Sequence, residues 1–334
     1  MLAEHVEIIF SILSVRTPVV SLVGRLEPLI DPNYTGSNLV FIVGCPRSGT
    51  TWLQQLLASY PKAKTGRETH LFSWLIGPQL RAWRKEMDRL PERGEHIGIG
   101  PPAYFTESEF LRNLKTYLLV LLDTIVGNLG PDEFFIEKTP NHALFIPEIV
   151  QMLPDCKIIH VLRDARDTVA SLLEVNKSSH KIGGGESLPW APESARGAAR
   201  LWVEHVRAAR AAAKNLPSNQ FYEVRYRDLK ASPETELMKL SQFLSWKWDR
   251  ESIIGAVRMN DPAVARKAGS ATAIPVRGEF QRISSITLSG THTFARKAKV
   301  GSWKEELSLK QKIGVWLVAR KTMNEVGYHW KYPW

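Results

Sequence analysis

The sequence predicts an α/β fold with a doubly wound, mostly parallel central sheet flanked by helices, and three observations carry that expectation. Four short runs, Leu39–Val43, Phe134–Ile136, Cys156–Leu162 and Gln220–Val224, are apolar or β-prone and read as buried parallel strands. Segments with helical spacing of apolar residues lie between them. The first run, LVFIV, ends in a turn-rich loop, GCPRSGTT, and an amphipathic segment follows at once. Strand, tight loop and helix N-terminus in that order turn backbone N–H groups and the positive helix end toward one point, where an anion can sit. Right-handed crossovers put that point at the carboxyl ends of the strands.

Taken in order, the N-terminal stretch VEIIFSILSVRTPVVSLVG is apolar in patches, interrupted by Glu7, Arg16 and Pro18. It holds no uncharged run of roughly 18 residues, so it does not read as a membrane span. It is expected to be an amphipathic helix within residues 1–35, broken at Pro18 and packed on a single domain over 36–334, with peripheral membrane contact as its other use. After the first strand, Trp52, Leu53, Leu56 and Leu57 form one helical stripe. Trp202, Val206, Ala209 and Ala213 form another, backed by Arg200, Arg207, Arg210 and Lys214. Ser232-Pro233-Glu234 has the pattern of an N-cap, a proline at the first helical position and an acidic first turn, with Leu237, Leu240 and Leu244 continuing inward. Lys177–Ser194, with three consecutive glycines and Pro189 and Pro192, and Asp261–Ser302 are expected to be irregular. Trp74, Trp83, Trp190, Trp316, Trp330 and Trp334 are expected to pack, Trp190 having the best claim among them to touch an acceptor instead.

With 44% hydrophobic and 23% charged residues the composition is that of an ordinary folded domain, so the net charge of +10 is what stands out. It favours an anionic ligand, nucleic acid or an acidic surface. Cys45 and Cys156 fall in or beside strands and read as buried thiols, consistent with a reducing compartment; no Cys/His spacing suggests a metal.

The spacing Gly44-x4-Gly49, followed by Thr50-Thr51, nearly matches the nucleotide phosphate loop G-x-x-x-x-G-K-[ST]. Thr50 stands where the lysine belongs, and Arg47 is the nearest cation. A second phosphate signal lies in CKIIHVLRDARDTVASLL: a strand ends at Arg163, and the helix after it carries Ser171 in its first turns. An arginine and a hydroxyl so placed can grip a phosphate.

GCPRSGTTWLQ followed downstream by VLRDARDTVAS resembles the sulfotransferases that use 3′-phosphoadenosine 5′-phosphosulfate (PAPS) as donor. The resemblance covers roughly residues 38–305. It implies that Arg47, Ser48, Gly49, Thr50 and Thr51 hold the 5′-phosphosulfate, that Arg163 and Ser171 hold the 3′-phosphate, and that Trp52 stacks on adenine. YEVRYRDL resembles the family's Y-E-D-L segment, with Arg227 in place of the acid and Tyr226 as a contact to adenine. RKAKVGSWK resembles R-K-G-x-x-G-x-W-K, which closes over the 3′-phosphate; it supplies Arg296, Lys297 and Gly301, with Ala298 replacing a glycine.

Two base candidates follow. Glu68, in GRETHLF, resembles the glutamate of K-E-x-H-F-F in the glycan-modifying members, where it is the base. His142, in EKTPNHALF, lies near the strand-end Lys138, whose counterpart in E-K-S/T-P sits beside the transferred group. Glu68 is expected to be the base and Lys138 to steady the leaving group. The implied product is adenosine 3′,5′-bisphosphate (PAP), no metal is required, and the acceptor is a hydroxylated small molecule, lipid, glycan or protein tyrosine. Lacking an export signal or anchor pattern, the sequence favours a cytoplasmic location and a small-molecule or lipid acceptor. Two rival readings make different predictions. A phosphate-loop kinase needs the absent lysine, and a non-catalytic nucleic-acid binder needs a basic stripe with stacking aromatics.

Overall fold

The computed structural model describes residues 31, 33–89, 100–127, 129–182, 191–261 and 299–332. The expected N-terminal helix, Trp190, Trp334, Arg296 and Lys297 therefore lie outside the described residues. The chain divides into two compact units, one formed by 1–34 with 92–128 and the other by 35–91 with 129–334.

The larger unit contains a five-stranded sheet. β1 (Leu39–Gly44) is followed by α1 (Thr50–Leu57), β2 (Ala63–Thr65), a π-helical turn (Leu71–Ile76) and α2 (Gly77–Arg89). The smaller unit holds α3 (Glu107–Val126), which begins with a reciprocal capping box between Thr106 and Glu109. The larger unit then resumes with β3 (Phe134–Lys138), α4 (Ile146–Met152), β4 (Lys157–Leu162), α5 (Ala165–Ile182), α6 (Ala195–Ala213) and β5 (Phe221–Arg225). It ends with α7 (Tyr226–Ala231), α8 (Pro233–Phe243), α9 (Arg250–Met259), α10 (Trp303–Glu306) and α11 (Leu309–Glu325).

The strand order is β2-β3-β1-β4-β5, with every pairing parallel. The chain moves outward from β1 on one side, then returns to build on the other side. The switch point therefore falls at the carboxyl end of β1, where open parallel sheets bind ligands. All six β1 residues are buried, which is why LVFIVG shows no alternation. Ile42 sits opposite Lys138 and Gly44 opposite Val161, so β3 and β4 end on either side of the Gly44 loop.

One sheet face packs Leu53, Leu56 and Leu57 of α1 with Leu237 and Leu240 of α8 and Ile253 of α9. The other packs Val169 and Leu172 of α5, Trp202 and Val206 of α6, and Val315, Ala319 and Met323 of α11. Trp202 is fully buried, and its indole Nε1 donates to the Arg163 carbonyl at 2.9 Å, tying α6 to the end of β4.

Three local expectations need correction. β2 escaped the sequence reading because Ala63-Lys64-Thr65 is a half-exposed edge strand with no apolar run. α5 continues to Ile182, so Lys177 is helical rather than part of a loop. Ser232 occupies the N-cap of α8, but its side chain makes no capping bond; proline at the first helical position removes one donor that would need it. Both cysteines are free and buried, and no helix among the described residues is long and apolar enough to cross a membrane.

Candidate functional site

Between β1 and α1 two residues adopt left-handed backbone, Arg47 with φ 73° and Gly49 with φ 100°. For a non-glycine residue this costs of order 1–3 kcal/mol and persists only where the surroundings hold it. Arg163 does so, donating from Nη1 to the Arg47 carbonyl at 2.9 Å. Arg47 donates from Nε to Ser171 Oγ at 3.2 Å. Three separate pieces of sequence, the loop, the end of β4 and the first turns of α5, thus meet at one point. The head of α1 adds the unpaired N–H groups and positive pole of a helix N-terminus. Ser48 Oγ and Arg163 Nε are buried without a hydrogen-bond partner. A buried polar atom left so costs about 1–3 kcal/mol, and the oxygens of a bound anion would give both atoms an acceptor.

Gly49 is required by contact as well as by φ. A Cβ added there would lie 2.4 Å from Cδ2 of Tyr226. Gly49→Ala is therefore expected to destabilise the chain by about 1–3 kcal/mol in urea unfolding, since neither the backbone nor the buried Tyr226 ring can give way without strain. Arg163 also lies over the Tyr226 ring, 4.6 Å from its centroid, and Trp52 meets the same ring edge-on at 5.9 Å. Trp52 is half-buried and donates from Nε1 to the Asn260 carbonyl at 2.9 Å, with Lys230 Nζ 5.1 Å over its ring. Asn260 and Asp167 were missed by the sequence reading. Asp167 accepts from the N–H groups of Gly301, 2.8 Å, and Trp303, 3.2 Å, while Arg163 Nη2 donates to the Lys299 carbonyl at 3.3 Å. The downstream glycine segment is thereby latched to the first turn of α5. Only the second Asp of RDARD hinted at this, and nothing in its spacing announces a partner so far along the chain.

The second half of the site lies where β3 ends. Lys138 is buried and hydrogen-bonds through Nζ to Glu68 Oε1. The other carboxylate oxygen, Oε2, lies 3.5 Å from His70 Nε2. Glu68 remains 41% exposed. Partial burial works to raise its pKa, but the His70 hydrogen bond and the Lys138 charge outweigh that and hold the carboxyl down at about 2.

His142 does not join this open site. It is fully buried, its Nε2 accepts from the Phe72 N–H at 3.2 Å, and its Nδ1 bonds Glu137 Oε2 at 2.9 Å. Because Nε2 accepts, the proton sits on Nδ1 and is donated to Glu137. With both nitrogens engaged, His142 has no lone pair to offer an acceptor, which argues against it as the second base candidate. It belongs instead to a buried hub. Glu137 Oε1 accepts from Thr69 Oγ1 at 2.8 Å, Thr69 N–H at 3.3 Å and Thr139 Oγ1 at 2.5 Å. Thr139 Oγ1 in turn accepts from the N–H groups of Thr69, 3.1 Å, and His70, 3.3 Å. The loop carrying Glu68 is thereby pinned to β3 at Thr69, His70 and Phe72. His160 is also buried, with Nδ1 3.2 Å from Glu223 and Nε2 without a hydrogen-bond partner.

These features define a class: a P-loop-like α/β protein with a strand–loop–helix turn, a strand-end arginine and a carboxylate–lysine pair at the carboxyl ends of its central parallel strands. Residues 39–250 match the sulfotransferase family, and the chain belongs to that family. Protein-tyrosine sulfotransferase A of Caenorhabditis elegans is 23% identical over 227 residues, 66% of this chain and 54% of the worm protein. The protein-tyrosine sulfotransferase of Drosophila melanogaster is 26% identical over 212 residues, 63% of this chain and 38% of the fly protein. The chain thus spans about half or less of the length of these two relatives. Mouse sulfotransferase SULT7A1, solved in complex with PAP, shares the fold with a TM-score of 0.52 at 16% identity, covering 91% of both chains.

Proposed function

We propose that this chain transfers a sulfuryl group from PAPS to an acceptor hydroxyl, with Glu68 as general base. The observation that carries the reading is the meeting of Glu68 and Lys138 at the end of β3, beside the strand whose loop builds the anion site. The donor supplies an activated sulfuryl group whose departure leaves PAP. Arg47, Ser48, Gly49, Thr50 and Thr51 would hold its 5′ end, and Arg163 and Ser171 its 3′-phosphate. The two orphaned buried atoms, Ser48 Oγ and Arg163 Nε, fit such a doubly anionic ligand. Trp52, half-buried, offers an aromatic face for adenine, and the buried Tyr226, expected to contact adenine, instead supports it from beneath. Lys138 is placed to neutralise charge developing on the departing oxygen, and Glu68 to take the acceptor's proton. Neither step calls for the lysine that Thr50 replaces, because no terminal phosphoryl group has to be clamped. The worm and fly relatives are protein-tyrosine sulfotransferases by name, which supports a tyrosyl hydroxyl as one candidate acceptor.

Thermal shift tests the donor site. At about a hundredfold excess over its dissociation constant, PAP should stabilise the chain by about 2.7 kcal/mol, a rise of about 4 °C in Tm. ATP and AMP, each lacking the 3′-phosphate, should give markedly smaller shifts. Equal shifts from all three would count against the assignment of Arg163 and Ser171.

A further inference from the structure

We propose that His70 and Trp74 form the acceptor subsite and that it takes the flat ring of a phenolic alcohol, delivering the ring hydroxyl to Glu68. The inference rests on Glu68 being the base. Trp74 was expected to pack, yet it is 69% exposed, and among the described residues it is the one tryptophan classed as exposed. Exposure alone would mean little. What distinguishes this ring is that its pose is fixed. It stacks in parallel on the His70 imidazole, with centroids 4.1 Å apart and planes 8° from parallel. His70 holds a left-handed backbone, φ 52°, at the head of the π-helical turn, and its carbonyl accepts the Trp74 N–H at 2.8 Å. Ser73 Oγ bonds His70 Nδ1 at 3.0 Å, which leaves Nε2 facing Glu68. Strained backbone and π-helical turns concentrate at functional sites. The result is a flat aromatic wall that runs up to the carboxylate and presents Trp74 to solvent.

A planar ring covers such a wall better than a puckered one, and aromatic pairs gain beyond the area they bury. Basicity points the same way. Lys138 and His70 hold Glu68 at low pKa despite partial burial, so it is a weak base. A phenol, with a pKa of about 10, can yield its proton to such a base far more readily than an aliphatic hydroxyl, whose acidity is close to water's at about 15.7. In the transfer, the phenolic oxygen forms the new bond to sulfur and its proton passes to Glu68. The bond between sulfur and the donor's 5′-phosphate oxygen breaks, and its electron pair leaves with PAP.

The test uses fluorine NMR titration of the full chain with 4-fluorophenol and with 4-fluorocyclohexanol, each with and without saturating PAP. The phenol should bind more tightly than the cyclohexanol. Trp74→Ala should weaken phenol binding about tenfold, and Trp74→Phe should restore most of it. With PAPS, the same alanine variant should raise KM for phenol more than it lowers kcat. Equal binding of the two rings, or phenol binding that Trp74→Ala leaves unchanged, would overturn the subsite. A chain that fails to bind PAP would overturn the donor reading instead, while the titrations without PAP still decide the role of Trp74.

Discussion

Glu68→Gln is expected to lower kcat by about 10²–10⁴-fold while PAP affinity stays close to wild type. Glutamine keeps the shape of the side chain and an oxygen for Lys138, but it cannot take up a proton. The groups assigned to the donor, from Arg47 and Ser48 to Arg163 and Ser171, sit on the β1 loop and at the β4–α5 junction and do not depend on the carboxylate charge. The wild-type pH profile is a second readout. The carboxyl is held at about 2, so the base stays ionised throughout the neutral and mildly acidic range, and its acid limb should not appear above about pH 4. Lys138→Met removes one of the groups that lower it, so any acid limb should move up toward the ordinary 4.5. Turnover retained by Glu68→Gln would assign proton removal to another group, and His142 has no free nitrogen with which to do it.

Much of the fold was legible because the central strands β1 and β4 are buried on both faces and therefore apolar throughout or nearly so. β3 and β5 stood out only as short β-prone runs, β5 being a half-exposed edge strand, whereas Ala63–Thr65 earns its place in the sheet by backbone pairing with β3 and carries no such signal. The loop half of the candidate site was legible for a related reason. A strand–loop–helix turn of this kind draws on few residue types at fixed spacing, so Gly44–Thr51 and Arg163–Ser171 could be read locally. The half around Glu68 and Lys138 was not, because its logic is long-range. Sequence placed His142 just after a proline, a common setting for an exposed turn, and could not show that Phe72 and Glu137 occupy both its nitrogens. Nor could it show that Thr69 and Thr139 share one carboxylate, or that Trp74 turns outward onto His70 when most of the chain's other tryptophans turn inward. Asp167 and Asn260 hold partners more than a hundred residues away, and such pairings leave no periodicity to find.

Glu137 should be the costliest single position in the site. Burial opposes its ionisation, but His142, Thr139 and Thr69 more than offset this and hold its carboxyl below the usual range. Glu137→Leu strands the Nδ1–H of His142 and the hydroxyls of Thr69 and Thr139 in the interior, at about 3–5 kcal/mol. Glutamine should rescue little. In one orientation its amide NH₂ would face the Nδ1–H of His142, and in the other the Thr69 N–H, donor against donor either way. Flipping the tautomer to relieve that clash would set Nε2–H against the Phe72 N–H instead. Adding His142→Leu to Glu137→Leu should cost less than the sum of the two single changes, because it removes the stranded ring. The sign of the pH dependence follows from the lowered pKa. The ionised carboxyl contributes stability that is present above its unfolded value near 4.5 and is lost as pH falls toward the folded one. Glu68 and Glu223 are also lowered and will steepen acid unfolding in every variant, so the difference between curves isolates Glu137. In urea unfolding from pH 7 downward, wild type should therefore lose stability more steeply than Glu137→Leu, and the gap between them should close below pH 4.5. Parallel curves would mean that Glu137 is not charged in the folded protein, and the hub would then have to hold the Glu68 loop as a neutral network.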